Sequence, residues 1–389
     1  MPLLSEKLLF LPRLESLRGL AAVSVVAYHA YGMMHDTAVT GGAPVVLFFV
    51  LSGFVLARSL HNNPSPSAFF RNRLFRLLPA AASTVLLLTV LFYQYGLSVG
   101  FQGSFDWPNV ILNALMIRSD INGVMWSMTV ECFATPLILA CFLACKRFGP
   151  PPLVALSIVL FGLSFWGPYV HLLGGATSLA PLYAFVTGVL LHFAVIEGYQ
   201  VRWVKIGTLI ALLVLLVCGL RKQTSLLNLA ESLSAGALIF LVATTPGSAL
   251  FAVLDWTPVR FVGRISYSFY LLHLIGMSLA WRWEPQSTLA FFSLSVVFTI
   301  PMAWISWRSV EVPFMRLARS SVLRAPTTGG NPVSVTTFAL ADGRRNHVAC
   351  PASASSSTRP CPDAAAMKSG SPMVGPPSIS TGMTNRAAG

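Results

Sequence analysis

Charged residues are scarce in this chain: they make up only 10% of its 389 residues, whereas hydrophobic residues make up 55%. A soluble domain of this size carries about 25% charged residues, so the composition excludes an ordinary soluble globular protein. Acidic residues are rarer than basic ones, with 13 Asp and Glu against 26 Lys and Arg. The six cysteines have neither the spacing of zinc ligands nor a disulfide pattern, so we expect no metal.

The chain contains long apolar runs with few charged residues, and its mean hydropathy is +0.70. A membrane-spanning helix needs about 20 mostly apolar residues. Runs of that kind cover residues 14–34, 43–60, 77–97, 126–145, 152–170, 179–197, 203–220, 226–246, 262–283 and 287–307. A further apolar piece, 110–117, is too short to span and is expected to be interfacial or re-entrant. The sequence therefore predicts an all-α, polytopic transmembrane helical bundle of about ten spans, with the lipid bilayer as its partner.

The net charge of +13 is unevenly distributed over the connections between the runs. With the N-terminus in the cytoplasm, the inner connections hold most of the Lys and Arg. The outer connections hold only Arg118, Arg221, Lys222 and Arg282. This is the positive-inside bias of membrane proteins, and it predicts that both termini are cytoplasmic. The basic balance then reflects topology, and we expect no nucleic-acid partner.

The composition changes abruptly near residue 325. Residues 1–320 are interpreted as one membrane domain, whereas residues 325–389 are rich in Pro, Gly, Ser, Thr and Ala. A segment of that kind cannot bury enough apolar surface to offset the entropy lost on ordering. We therefore expect a disordered, low-complexity cytoplasmic tail over residues 325–389.

Two ionisable residues occur in the first apolar run, "LRGLAAVSVVAYHA" at residues 17–30. Arg18 and His29 are eleven residues apart, just over three helical turns, so they share one face and lie about 16 Å apart along the axis. Arg18 could simply flank the span on its inner side, and His29 could form an inter-helix hydrogen bond. Ionisable groups inside a membrane are nevertheless functional candidates by default, and we favour a functional role for His29.

A basic stretch precedes the third run. In "SAFFRNRLFRLL", residues 67–78, Asn72, Arg73 and Arg76 fall within about a quarter of the helix circumference. Arg71 is displaced from this polar stripe. The pattern predicts a short amphipathic basic helix at the inner membrane surface.

Two further motifs place polar groups within spans. In "WSMTVE", Ser127 and Glu131 are four residues apart and share a helix face. A carboxylate inside a span is costly unless paired, and a structural or a functional pairing is equally open. In "GRISYSFYLLH", Ser266, Tyr270 and His273 form one polar stripe at helical spacing, which is unusual for packing alone.

Other polar or small positions favour structural roles. Ser52 and Gly53 in "FFVLSGFVLAR" allow close helix approach. Glu231 is a second carboxylate inside a span, but no motif surrounds it. In "VEVPF", Glu311 and Pro313 follow the last span, where a proline is expected to end the helix.

Taken in order, these segments resemble the acyltransferase-3 family of membrane acyltransferases, to which O-antigen acetylases and Nod-factor acetylases belong. The resemblance extends from about residue 14 to residue 318. It rests on "LRGLAAVSVVAYH", "FFVLSGF", "RNRLFRLLP", "WSMTVE", "GRISYSFYLLH" and "VEVPF". Two departures concern the acceptor side: Val46 stands where an acidic residue is common, and "CFATP" replaces an aromatic pair.

The resemblance implies transfer of an acyl group, usually acetyl from cytoplasmic acetyl-CoA, to a hydroxyl of a glycan, a lipid-linked acceptor or another molecule. It also implies a multi-pass protein of the plasma (inner) membrane. The arginine and histidine of the family's first span match Arg18 and His29. Its basic pair matches Arg73 and Arg76, with Arg71 close by.

Roles for the remaining residues follow from the same resemblance. The family's tryptophan–serine–glutamate block matches Trp126, Ser127 and Glu131. We expect His29 to act as general base or acyl carrier, with Arg18 and Glu131 also catalytic. The CoA phosphates are expected at the basic residues Arg71, Arg73 and Arg76. Acceptor contacts are expected from Trp126, Ser127, Ser266, Tyr270 and His273.

A transporter or flippase is the alternative from another class, because buried polar residues would also line a permeation path. A sensor or scaffold without activity is a third interpretation. Transfer of label from acetyl-CoA separates the enzyme from both.

Overall fold

Helices account for nearly all of the regular structure in this computed structural model, which describes residues 4–37, 41–99, 103–174, 177–199 and 203–323. Within these ranges no strand is formed, and Val99 and Asn122 make an isolated bridge. The elements are α1 Leu4–His35, α2 Gly42–Asn62, α3 Pro66–Tyr95, α4 Trp107–Ala114, α5 Trp126–Phe148, α6 Pro151–Leu163, α7 Gly167–Val170, α8 Tyr183–Ile196, α9 Val204–Gly219, α10 Ser225–Thr244, a 3₁₀ turn Ala249–Asp255, α11 Thr257–Trp281, α12 Thr288–Ser306, a π-helical turn Trp307–Glu311 and α13 Val312–Leu323. The predicted tail, 325–389, lies outside the described residues.

Five helical segments in the described residues are long and apolar enough to cross a membrane. They are α2, α3, α5, α10 and the continuous segment Thr288–Arg319. Helices α6, α8 and α9 are apolar but shorter. Each of the ten predicted runs overlaps a helix, which confirms the all-α prediction. The count of ten spans and the orientation of the termini stay predictions.

Helix α3 joins two segments that the sequence pattern separates. Its start is set by Ser65, whose hydroxyl accepts a hydrogen bond from the backbone N–H of Ala68 at 3.4 Å, and by Pro66 at the first helical position. The helix continues through Pro79 and ends at Gly96, which has a left-handed φ of 67°. The predicted basic surface helix is therefore the first part of a 30-residue helix that continues into the third apolar run.

The chain does not stop being helical at Pro313, contrary to the prediction. Proline lacks an N–H and its ring clashes with the carbonyl four residues earlier. The helix accommodates this with the π-helical turn Trp307–Glu311, and α13 continues to Leu323. A π turn absorbs such a local conflict without ending the helix. The last basic residues of the domain consequently remain on a helix.

Two glycines bring α1 and α11 into backbone contact. A Cβ at Gly19 would lie 2.5 Å from the backbone nitrogen of Gly263, so neither position tolerates a side chain at this crossing. Ten residues further along each helix, His29 meets His273. Contacts that advance equally along both chains mean that the two helices run parallel, with about 15 Å between the two contact points.

A second close crossing joins α2 and α8. A Cβ at Gly53 would overlap the carbonyl oxygen of Phe185, and one at Gly188 would overlap the carbonyl oxygen of Val50. Small residues at such crossings allow dense packing between apolar helices. Gly53 therefore has the packing role expected from the sequence.

The ion pairs of Arg13 and Arg260 with Asp255, which we call the clasp, join α1 to the turn before α11. The Nε of Arg13 donates to Asp255 Oδ2 at 2.9 Å, and its NH1 donates to the carbonyl of Pro246 at 2.7 Å. Arg260 donates to the other oxygen of Asp255 at 2.9 Å. The hydrogen bonds from Arg13 lower the pKa of Asp255. The clasp reinforces the alignment of α1 and α11.

Candidate active site

One end of the bundle holds a small cavity with a concentration of positive charge, which we call the cation cavity. Its volume is about 220 Å³. The polar residues that line it are Arg18, Ser52, Ser59, Asn72, Arg73, Arg76 and Arg319. Four guanidinium groups with no acidic residue among the described lining give this cavity a chemistry that suits an anion with several charges.

A larger cavity, which we call the histidine cavity, has the opposite character. Its volume is about 670 Å³. The residues that line it with polar or aromatic groups include His29, Asp36, Trp126, Gln223, Asn228 and Tyr270. None of the described residues in its wall is a lysine or arginine. The cavity suits an uncharged polar molecule better than an anion.

Helix α1 contributes one ionisable residue to each cavity. Arg18 lines the cation cavity and His29 lines the histidine cavity. Their spacing of just over three turns places them about 16 Å apart along the helix. Arg18 and His29 thus belong to two chemically different cavities along one helix.

The imidazole of His29 lies next to the imidazole of His273. Its Nδ1 lies 3.4 Å from Nε2 of His273, and the ring centroids are 5.3 Å apart. His273 is fully buried, and its Nδ1 lies 2.6 Å from the carbonyl oxygen of Tyr270. A carbonyl oxygen only accepts, so Nδ1 of His273 carries a proton.

This contact assigns the tautomer of His29 when both rings are neutral. With its proton on Nδ1, His273 presents an unprotonated Nε2, which accepts from Nδ1–H of His29. The unprotonated nitrogen of His29 is then Nε2. A histidine in this state is able to take a proton from a substrate.

Glu131 connects α5 to two residues of the cation cavity. Its carboxylate accepts a hydrogen bond from the Ser52 hydroxyl and forms an ion pair with Arg73. Glu131 and Arg73 are both buried, at 4% and 6% exposure. A buried charge needs such a partner. Ser52, which the sequence assigns to packing, is therefore also a hydrogen-bond donor.

The start of α5 forms part of the histidine cavity. Trp126 lines the cavity and packs edge-on against Phe49, with ring centroids 6.2 Å apart. Ser127 is buried, and its Oγ lies 2.8 Å from the hydroxyl of Tyr270. Tyr270 also donates to the carbonyl oxygen of Val124 at 3.2 Å. These contacts hold α5 against α11 where both border the cavity.

Five predicted site residues lie outside the walls of both cavities, namely Arg71, Ser127, Glu131, Ser266 and His273. Arg71 is absent from the cation cavity, which agrees with its displacement from the polar stripe. Ser266 is buried but lines neither cavity, and His273 reaches the histidine cavity only through His29. The stripe of Ser266, Tyr270 and His273 therefore contributes one wall residue, Tyr270.

Several wall residues were not anticipated from the sequence. Arg319 lies beyond Pro313, where the pattern predicts that the helix has ended. Gln223 and Asn228 lie near the start of α10 and belong to no motif. In the sequence, the only indication of their role is that they are single polar residues at the end of an apolar run.

Metal chemistry has no candidate site in the part of the chain that the structure describes. No group of three or more His, Cys, Asp or Glu side chains there is arranged to hold a metal ion. The described cysteines, all reduced, are Cys132, Cys141, Cys145 and Cys218.

Comparison with known proteins identifies relatives over most of the chain. The acyltransferase-3 family model, described as an acyltransferase domain, matches residues 11–308. Nodulation protein 10 of Rhizobium leguminosarum bv. viciae is 26% identical, in an alignment that covers 80% of this chain and 95% of that protein. No solved structure matches this chain.

Two further relatives carry transferase names. A Staphylococcus aureus (strain COL) protein with a provisional O-acetyltransferase name is 23% identical, and the alignment covers 80% of this chain but only 58% of that protein. Acyltransferase MdmB of Streptomyces mycarofaciens is 28% identical over 142 residues, which are 31% of this chain and 36% of that protein.

Proposed function

Because the chain belongs to the acyltransferase-3 family and is therefore a membrane acyltransferase, we propose that it transfers an acetyl group from acetyl-CoA to a hydroxyl of a glycan or lipid-linked acceptor. The observation that carries this proposal is the pair of cavities along α1. The anionic donor and the uncharged acceptor each have a cavity of matching chemistry.

The cation cavity is the proposed donor site. Guanidinium groups bind phosphate through paired, charge-assisted hydrogen bonds. We assign Arg76 and Arg319 to the CoA phosphates, because both line the cavity and neither forms an ion pair with a described residue. Arg18, nearer to His29 along α1, is assigned to the pantetheine arm or to a phosphate.

His29 is the proposed general base. Its Nε2 takes the proton of the acceptor hydroxyl while the hydroxyl oxygen bonds to the carbonyl carbon of the thioester. The carbon–sulfur bond then breaks, and the proton passes from His29 to the departing sulfur, giving an ester and CoA. In the alternative, His29 Nε2 itself carries the acetyl group between the two substrates.

The other residues of the site position these groups. Glu131 is proposed to hold Arg73 at the wall of the cation cavity, since the two form a buried ion pair. Trp126 and Tyr270 are proposed to contact the acceptor, since both line the histidine cavity. Ser127 supports Tyr270 through its hydroxyl.

We place the cation cavity at the cytoplasmic side of the plasma (inner) membrane and the histidine cavity toward the outside. This orientation rests on the positive-inside bias and on the distribution of arginines between the two cavities. A cysteine introduced at Thr37, which lines the histidine cavity, should react with an impermeant thiol reagent in intact cells. Labelling only after permeabilisation would reverse the orientation.

The decisive experiment measures covalent transfer. Full-length protein is incubated with acetyl-CoA labelled in the acetyl group, and both CoA thiol release and label in alkali-labile esters of the membrane glycan fraction are followed. An acetyltransferase gives ester label and thiol in equal amounts. Movement of a glycan across the membrane without ester formation would instead support a transporter or flippase.

A further inference from the structure

Two carboxamides face the histidine cavity and have unused hydrogen-bonding capacity. Asn228 is 7% exposed and lines the cavity, yet its side chain makes no hydrogen bond with any described residue. Gln223 lines the same wall, and its Oε1 is buried without a hydrogen-bond partner among the described residues. Buried polar groups are normally paired, so the unpartnered Oε1 of Gln223, beside the carboxamide of Asn228, points to a partner in the cavity.

Glu231 holds Gln223 in one orientation. The Nε2 of Gln223 donates to Glu231 Oε1 at 3.1 Å, and Glu231 is fully buried. In this orientation the NH₂ end of the amide faces Glu231, and an oxygen of Glu231 accepts its hydrogen bond. A Cβ at Gly42 would overlap the Gln223 carboxamide, so that glycine leaves room for it. The Oε1 of Gln223 is thereby kept away from Glu231.

We infer that Asn228 and Gln223 form a hydroxyl-binding subsite that selects a polyhydroxylated acceptor, such as a sugar ring, and that Glu231 is its positioning residue. This inference rests on the proposed function and assigns the residues that recognise its glycan acceptor. A carboxamide both donates and accepts, which matches neighbouring hydroxyls that do the same. Trp126 also lines the cavity, and an indole is suited to pack against the C–H side of a sugar ring.

The charge of the cavity supports an uncharged acceptor group over a phosphate. Among the described lining residues there is no lysine or arginine, and Asp36 is acidic. A phosphate would meet no cation there. The four arginines are concentrated at the cation cavity instead.

The test compares a polyol with a simple alcohol. Full-length protein in detergent receives labelled acetyl-CoA with either methyl β-D-glucopyranoside or 1-hexanol as the acceptor, and thiol release without acceptor reports transfer to water. For Asn228→Ala and Gln223→Ala, we expect the KM for the glucoside to rise about tenfold, because each variant loses one net hydrogen bond to the acceptor. The KM for hexanol should rise less, because a simple alcohol offers a single hydroxyl to the two carboxamides. Asn63→Ala, at an exposed position, is the matched control and should change nothing.

Glu231 is tested with two variants of similar volume. Glu231→Gln keeps an oxygen that accepts from Gln223 and should retain the glucoside KM, whereas Glu231→Leu should match Gln223→Ala. A simple packing role would not distinguish hexanol from the glucoside.

Three outcomes would overturn the inference. Equal losses with both acceptors would show that Asn228 and Gln223 only support the fold, and unchanged KM values would show that they do not contact the acceptor. An unmodified chain that releases CoA but does not label the glucoside would exclude the polyol class. An unmodified chain that releases no CoA from acetyl-CoA would overturn the proposed function and the subsite with it.

Discussion

Nδ1 of His29 lies 3.4 Å from Nε2 of His273, and the backbone carbonyl of Tyr270 accepts from the other nitrogen of His273. This relay links a buried carbonyl to a half-buried imidazole at the wall of the large cavity. It assigns the protons of both neutral rings and leaves Nε2 of His29 as the basic nitrogen. The relay depends on the parallel packing of α1 and α11 through Gly19 and Gly263.

Replacement of His29 by Ala or Gln should nearly abolish acetyl transfer. Removal of a general base typically lowers the rate by about 10²- to 10⁴-fold. Gln keeps hydrogen-bonding capacity but cannot take the proton. His35→Gln is a matched control on the same helix, because His35 is exposed and contacts Thr288. Labelled ester formation at equal protein abundance is the measurement, and near-normal turnover of His29→Gln would make His29 a packing residue.

His273→Phe should lower transfer less than the loss of His29 does. The substitution fills the space but removes the acceptor for Nδ1–H of His29. Leaving a donor without its acceptor costs about 1–3 kcal/mol, or roughly fivefold to 150-fold in rate. Because His273 acts through His29, the double variant His29→Gln/His273→Phe should be no slower than His29→Gln alone. Multiplying effects would mean that His273 has a separate role.

Arg76→Ala should weaken the use of acetyl-CoA more than Arg71→Ala. Arg76 lines the cation cavity and Arg71 does not, although both are near the start of α3. A charge-assisted contact is typically worth about 1.5–3 kcal/mol, so the KM for the donor should rise at least about tenfold for Arg76→Ala. Arg76→Lys should fall between, since a lysine keeps charge but not paired contacts. Similar KM values for both alanine variants would argue against a phosphate contact at Arg76.

Arg73→Ala should destabilise the protein because it leaves the Glu131 carboxylate buried without its ion-pair partner. Breaking a buried pair in this way costs about 3–5 kcal/mol. The double variant Arg73→Ala/Glu131→Gln should recover much of the thermal stability in detergent, because the remaining side chain is neutral. Donor use should stay impaired in the double variant if Arg73 also contacts CoA. A double variant as unstable as Arg73→Ala would show that charge burial is not the cause.

Periodicity and composition were sufficient for the general architecture. Scarce charge and repeated apolar runs predicted an all-α membrane protein, because a bilayer requires long apolar helices whose backbone groups are bonded within each helix. Helical spacing placed Arg18 and His29 on one helix at different depths, and it separated Arg71 from Arg73 and Arg76. Helix ends were less predictable: Pro313 suggested a stop, but the π-helical turn absorbs it.

The partner of each buried polar group depended on how the helices pack. His29 and His273 are 244 residues apart in the chain, and the periodicity of either helix says nothing about the other. The same holds for Ser52, whose hydroxyl reaches Glu131 on another helix, and for Asn228, which belongs to no motif. Helical spacing is a local property that assigns each side chain to a face. The facing neighbour is decided by close contacts such as that of Gly19 with Gly263, which only the assembled bundle contains.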